Sequence, residues 1–229
     1  IENYICSKFR IQNLLYKNSN LFLSKKIFSN YKTYIKINKN RLIFNNDMKP
    51  SKKDINNYFK NLNLNSISQL IKNIDSKINI KNIKITKDLK YRNQLIYNSN
   101  NLKIYNDSKC TNLNNAIYKN NLINSYKKIL ILGGKLKKQN KISKLNVRNT
   151  LVLMFGYQNN LFSNHLNFIN SNFFKFNNLN ELVNFLKLIL KFYKYNYILF
   201  SPGGESFDSY RNYLHRGNHF NQLINKILF

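Results

Sequence analysis

Along the second half of the chain, short apolar runs bounded by breakers alternate with longer segments whose apolar residues recur every three to four positions. Ile129–Leu132, Leu151–Gly156 and Tyr195–Phe200 are runs of the first kind, the first closed by Gly133-Gly134 and the last by Ser201-Pro202-Gly203-Gly204. They are too short for helices and predict buried strands. The run ending at Tyr105 reads as another strand, and Phe168–Phe176 as a further short one. Helices are predicted from Leu113 onward and over Leu179–Tyr193. A third is predicted over the stripe Phe207, Tyr210, Tyr213 or Leu214, Phe220, Leu223, Ile224 and Ile227. Strands alternating with helices predict an α/β fold with a mainly parallel sheet covered on both faces, whose site lies at the strands' C-terminal ends. The loops after Tyr105, Leu132 and Phe200 all leave the sheet at such ends. A strand, a glycine turn and a helix start also make a place for an anion, because the first helical turn has unpaired N–H groups. Ser206 stands where an N-cap or first-turn hydroxyl would point at that ligand. A plain strand–helix turn explains the same pattern.

The first part of the chain is less regular. Glu2–Tyr16 has Tyr4, Ile5, Phe9, Leu14 and Leu15 in rough helical phase. Leu21–Leu23, Tyr34–Ile37 and Leu42–Phe44 predict short strands, the latter two flanking an Asn38-Lys39-Asn40 turn. Asn45–Ser51, with Pro50, predicts a loop, and Ile55–Phe59 and Ile67–Ile74 predict helices. No glycine occurs before Gly133. A loop that cradles phosphate with backbone N–H groups needs glycines, so no such loop is expected in this stretch.

Length and hydrophobic content, 229 residues and 43%, allow one large or two small folded domains. Charge is the outlying feature: 38 Lys and Arg against 9 Asp and Glu, a net +29. A nucleic-acid binder would show such a balance, gaining from counterion release. Here the basic residues are scattered, and the aromatics fall in apolar periodic positions rather than forming an exposed stacking set. Lys, Asn, Ile, Phe and Tyr crowd the whole chain, and all are written with A- and T-rich codons. Compositional drift is therefore the favoured explanation, and no specific nucleic-acid partner is expected. Cys6 and Cys110 sit in unrelated contexts, and His165, His215 and His219 form no zinc pattern. No uncharged apolar run reaches the roughly 18 residues of a membrane helix. A cytoplasmic, monomeric protein is expected.

Four stretches share one resemblance. Ser201, Pro202, Gly203, Gly204, Ser206, Phe207, Asp208, Tyr210, Arg211, Asn212, Tyr213, Arg216, Gly217 and Phe220 resemble the C-terminal signature of the Mur ligases, most closely the D-glutamate-adding branch. Glu205 departs from it, standing where that family has a small residue. Asn106, Asp107, Ser108, Lys109, Thr111 and Asn112 repeat a second motif of the family without a gap. Gly133-Gly134 followed by Lys137 is similar to a third. Lys8, Arg10 and Ile11 resemble a fourth, in which the lysine is carbamylated and helps hold magnesium. Arg92 matches an arginine at the junction of the family's ATP and C-terminal domains, with Tyr91 in place of a histidine. Asn65 best fits an asparagine near the nucleotide, with Asn61 and Leu62 where a His-Asn pair would be.

The resemblance implies a distal part of a central ATP domain over residues 1–90, without its P-loop, and a Rossmann-like C-terminal Mur ligase domain over 91–229. It implies ATP and Mg²⁺ as cofactors, and D-glutamate and UDP-N-acetylmuramoyl-L-alanine as substrates joined through an acyl phosphate. Lys109, Thr111, Lys137, Ser206 and Phe207 would hold D-glutamate, with Tyr213 packing near it. Lys8, as a carbamate bridging Mg²⁺, Asp107, Arg92 and Asn65 would serve the nucleotide and metal. Carbamylation makes chemical sense here, since a lysine cannot bind a cation whereas its CO₂ adduct is a carboxylate, which hard Mg²⁺ prefers. The Asp-His-Leu-Asp motif of the family would lie just before Ile1, and the residues present are not expected to turn over alone. A relict scaffold and a basic RNA-binding or ribosomal protein remain open as alternatives.

Overall fold

The computed structural model describes residues 2–15, 20–37, 42–45, 89–99, 101–137 and 144–228. The helices expected over Ile55–Phe59 and Ile67–Ile74, and with them Asn61 and Asn65, lie outside the described residues. The chain divides into two compact units, Ile1–Ile85 and Thr86–Phe229.

The first unit opens with α1 (Glu2–Phe9), which tightens into a 3₁₀ turn over Arg10–Leu14. β1 (Leu21–Ser24), α2 (Lys25–Tyr31), a second 3₁₀ turn over Lys32–Tyr34 and β2 (Leu42–Asn45) follow. β1 and β2 pair in parallel, Leu21 opposite Leu42. The strand expected over Tyr34–Ile37 is absent, and β2 pairs with β1 instead of with that segment. The reason is a side chain: Gln12 donates to the Tyr34 carbonyl at 2.9 Å and accepts from the Lys36 amide at 2.8 Å. Backbone groups that a strand partner would need are thus taken. The Phe9 ring lies 6.2 Å from those of both Tyr31 and Tyr34.

The second unit is built on six strands. In chain order these are β3 (Gln94–Asn98), β4 (Lys103–Asn106), β5 (Lys128–Gly133), β7 (Leu151–Phe155), β9 (Asn172–Phe176) and β10 (Tyr197–Gly203). Their spatial order is β3-β4-β10-β5-β7-β9, and every pair is parallel except β3 with β4. The α/β expectation of a mainly parallel sheet therefore holds. β6 (Leu145–Arg148) and β8 (Leu166–Ile169) form a small parallel pair beside it. The Phe168–Phe176 segment breaks in two because Asn170 adopts a left-handed φ of 47°. Asn tolerates that region better than most residues.

Every residue of β5 is buried, as a central parallel strand covered on both faces must be. One face packs on α5 (Leu179–Phe192) and α6 (Tyr213–Leu228). There Ile131, Phe155, Ile198 and Phe200 meet Leu182, Leu186, Phe220 and Ile224, with the Phe200 and Phe220 rings stacked 4.0 Å apart. α3 (Leu113–Leu122) lies against β10 and β6, and α4 (Asn159–Asn164) against β5, β7, β8 and β9. Lys128 is buried at the start of β5, where its ammonium donates to the Asn120 and Ile123 carbonyls at the end of α3. Burial pulls its pKa down to about 8. Among the described residues no helix is long and apolar enough to cross a membrane.

Candidate functional site

Three loops leave neighbouring strands at one edge of the sheet. β4, β10 and β5 are adjacent and parallel, with Phe200 opposite both Asn106 and Ile131, and Gly203 opposite Gly133. The segments 107–112, 204–208 and 134–137 therefore emerge at the same C-terminal rim. The central loop, after β10, is bonded to each of the other two.

Toward β4 the link is Arg216, from the first turn of α6. It is completely buried. Its Nε donates to Ser108 Oγ at 3.1 Å, its Nη1 to the Gly204 carbonyl at 3.1 Å and its Nη2 to the Ser108 carbonyl at 2.8 Å. One planar fork thus ties two loops with three directed bonds. Burial lowers its pKa to about 10, opposed by the charge of Asp208, so the guanidinium stays protonated at neutral pH. Burial also raises the Asp208 carboxyl above its ordinary value. Ser108 Oγ donates to the Tyr213 carbonyl at 2.8 Å, and Asn106 Nδ2 to the Gly217 carbonyl at 2.8 Å, fastening α6 to the same loop.

Toward β5 the link is backbone to backbone. Lys135 N donates to Glu205 O at 2.8 Å, and Glu205 N to Lys135 O at 2.7 Å. The approach is so close that a Cβ on Gly134, whose φ is +94°, would come within 2.3 Å of the Glu205 carbonyl oxygen. A Cβ on Gly204 would come within 2.8 Å of the Gly133 carbonyl. Side chains at these positions would force the loops apart.

The sequence-predicted residues fall as follows. Lys109 is half-buried with its ammonium 4.1 Å from the centre of the Tyr213 ring, a cation–π contact. Lys137 is exposed at the rim, 3.6 Å from Glu205 Oε1. Ser206 is buried, its carbonyl accepting from the Ser209 and Tyr210 amides, while Phe207 is exposed. That turn delays the last helix. It starts at Tyr213, with Asn212 Oδ1 accepting from His215 N, and not at Phe207, so Ser206 is not its N-cap. α3 is capped by Asn112, which accepts from Asn115 N at 3.2 Å.

Asp107 is buried and fully engaged. Oδ1 accepts from the Asn93 amide at 3.0 Å, and Oδ2 from Ser201 Oγ at 2.9 Å and the Lys119 ammonium at 2.5 Å. It positions the 91–93 turn, where Tyr91 and Asn93 both have left-handed φ, 59° and 50°. Arg92 sits exposed at the tip of that turn. Tyr91 is buried against Gly217, where a Cβ would come within 2.4 Å of the ring. Lys8 lies in the other unit, in the last turn of α1. Among the described residues no three His, Cys, Asp or Glu side chains stand together as metal ligands.

An open cleft of about 710 Å³ lies beside this turn, lined by Lys90, Tyr91, Arg211, Asn212, Leu214, His215 and Asn218. It includes none of Lys109, Lys137 or Ser206. Sequence reasoning missed the role of Arg216. It appeared only as a motif letter, since a charged residue in an amphipathic stripe reads as solvent-facing.

No protein-family model matches the chain. Curated relatives do. A UDP-N-acetylmuramoylalanine–D-glutamate ligase of Prochlorococcus marinus (strain MIT 9312) is 39% identical over 150 residues, 62% of this chain and 31% of the relative. One of Petrotoga mobilis is 35% identical over 164 residues, 70% of this chain and 37% of the relative. One of Fervidobacterium nodosum is 26% identical over 241 residues, taking in 100% of this chain and 55% of the relative. The chain thus spans between a third and about half the length of these relatives.

Proposed function

From its kinship with the C-terminal region of the Mur ligases, we propose that the chain carries the amino-acid-binding part of an ATP-dependent ligase of the D-glutamate-adding kind. Its C-terminal unit takes up D-glutamate at the rim formed by the loops after β4, β5 and β10. Lys109 and Lys137 supply point charges for the two carboxylates, and Thr111 and Ser206 supply short polar contacts. Phe207 covers the ligand, and the Tyr213 ring holds the Lys109 ammonium in place. Each charge-assisted bond contributes roughly 1.5–3 kcal/mol, so two or three give millimolar or better capture. The observation carrying this proposal is that one rim, β4-β10-β5, presents all three motif loops together, with the loop after β10 bonded to each of the other two.

In the complete reaction, UDP-N-acetylmuramoyl-L-alanine would be the acyl partner and ATP with Mg²⁺ would activate its carboxylate. The residues of this chain that kinship points to there are Lys8, as a carbamate, Arg92, Asp107 and Asn65. Lys8 fits only after modification. Asp107 fits poorly as a direct ligand, because each of its oxygens already has protein donors. Its part in this proposal is to hold the turn that presents Arg92.

Isothermal titration of the chain with D-glutamate and L-glutamate tests the proposal. Saturable heat is expected from the D enantiomer, at least ten-fold tighter than from the L, and is expected to be lost in Lys109→Met. Equal heats from both enantiomers, or none, would overturn the proposal.

A further inference from the structure

Glu205 is one of only nine acidic residues in a chain of net charge +29, and it stands at the rim. Two backbone hydrogen bonds, 2.8 and 2.7 Å, fix it opposite Lys135 in an antiparallel bridge. Side chains two residues apart on such a segment share a face and meet the partner diagonally. Lys137 therefore falls beside Glu205, Nζ to Oε1 3.6 Å. Their side chains are 51% and 33% exposed, so the pair is loose and open to a ligand. The Glu205 position is nonetheless set, because the adjoining Gly133-Gly134 and Gly203-Gly204 backbones pack without room for a Cβ on Gly134 or Gly204.

We infer that Glu205 is a specificity-determining residue. Its carboxylate shares Lys137 with the incoming side chain and so removes most of the discrimination between D-glutamate and its uncharged amide, D-glutamine. The inference rests on the amino-acid-binding role proposed above. A substrate carboxylate approaching Lys137 meets a lysine already half-neutralised, and a like charge beside it. A carboxamide meets no repulsion, and its NH₂ donates to Glu205 while its oxygen accepts from Lys137. A lysine that would bind a carboxylate is thereby converted into one half of a polar pair suited to an amide.

The test is isothermal titration of the full chain with D-glutamate and D-glutamine, in the wild type, Glu205→Gln, Glu205→Ala and Glu205→Ala/Lys137→Met. The two ligands are expected to bind the wild type within about three-fold of each other. Both single variants are expected to tighten D-glutamate about ten-fold. Glu205→Gln keeps an acceptor and is expected to leave D-glutamine within about three-fold, whereas Glu205→Ala removes the acceptor of its NH₂ and is expected to weaken it about five-fold. The double variant is expected to lose that gain. Glu205→Gln keeps the side-chain length, so agreement between the two single variants on D-glutamate excludes a packing effect. A wild type that already prefers D-glutamate ten-fold, or single variants with an unchanged ratio, would overturn the inference and leave the amino-acid role standing. No binding of either ligand to any variant would overturn both.

Discussion

The loop after β10 is held differently on its two sides. Toward β4 it meets a buried, fully bonded assembly: Arg216 on Ser108 and Gly204, and Asp107 on Asn93, Ser201 and Lys119. Toward β5 it meets a two-bond backbone bridge and an exposed ion pair of 3.6 Å. Buried charges are costly to leave unpaired, so the first side is tied to the integrity of the fold. An exposed pair contributes little to stability and can exchange its partner for a ligand. The difference separates the frame that aligns the rim from the groups that choose what binds there.

The sharpest way to break that contrast is Arg216→Met. It leaves the Ser108 and Gly204 carbonyls without their donor, and urea unfolding is expected to show a loss of about 3–4 kcal/mol. Lys137→Met on the opposite side is expected to change stability by less than about 0.5 kcal/mol in the same measurement. Gly134→Ala attacks the looser side through the backbone. Its Cβ would meet the Glu205 carbonyl at 2.3 Å and its φ is +94°, so about 2–3 kcal/mol is expected to be lost. Faster hydrogen exchange at the Glu205 amide would accompany it.

Asp107→Asn is expected to cost about 1–2 kcal/mol, since an NH₂ must face donors that formerly bonded a carboxylate. The Asn93 amide should lose protection from exchange. The smallest effect concerns His219, whose Nδ1 lies 2.9 Å from Tyr210 Oη. Burial lowers its pKa below 6.5, aided by His215 and Lys226. The unfolded chain therefore takes up this proton first as pH falls, so the folded form loses stability from about 6.5 down through the lowered pKa. His219→Gln should flatten that part of the pH–stability curve and leave it unchanged above pH 7.

Much of the frame was legible in the sequence. Ile129–Leu132, Leu151–Gly156 and Tyr195–Phe200 are short apolar runs with closing breakers, a pattern that central parallel strands impose. The glycine pairs read as a turn open to an anion, whereas they let two loop backbones approach each other. What stayed hidden depends on contacts distant in sequence. The apolar stripe from Phe207 reads as continuous helix, but the Ser206 carbonyl takes the Ser209 and Tyr210 amides and defers the start to Tyr213. Tyr34–Ile37 has the composition of a strand, yet Gln12, 22 residues earlier, claims its backbone. Glu205 stood out as a departure, but its neighbour Lys137 is distant along the chain and is met only through the bridge at Lys135. β6 left no recognisable mark, because Leu145–Arg148 is short and half polar, and β8 reads together with β9 as one strand over Phe168–Phe176.

The most direct measurement is a titration of the ¹⁵N-labelled chain with D-glutamate, followed by backbone amide shifts. Residues 106–112, 133–137 and 203–208 are expected to move together on one binding curve, with little change along β6, β8 or α1. Shifts confined to a single loop, or centred on the cleft lined by Lys90, Arg211 and His215, would contradict a shared rim for one small dicarboxylic amino acid.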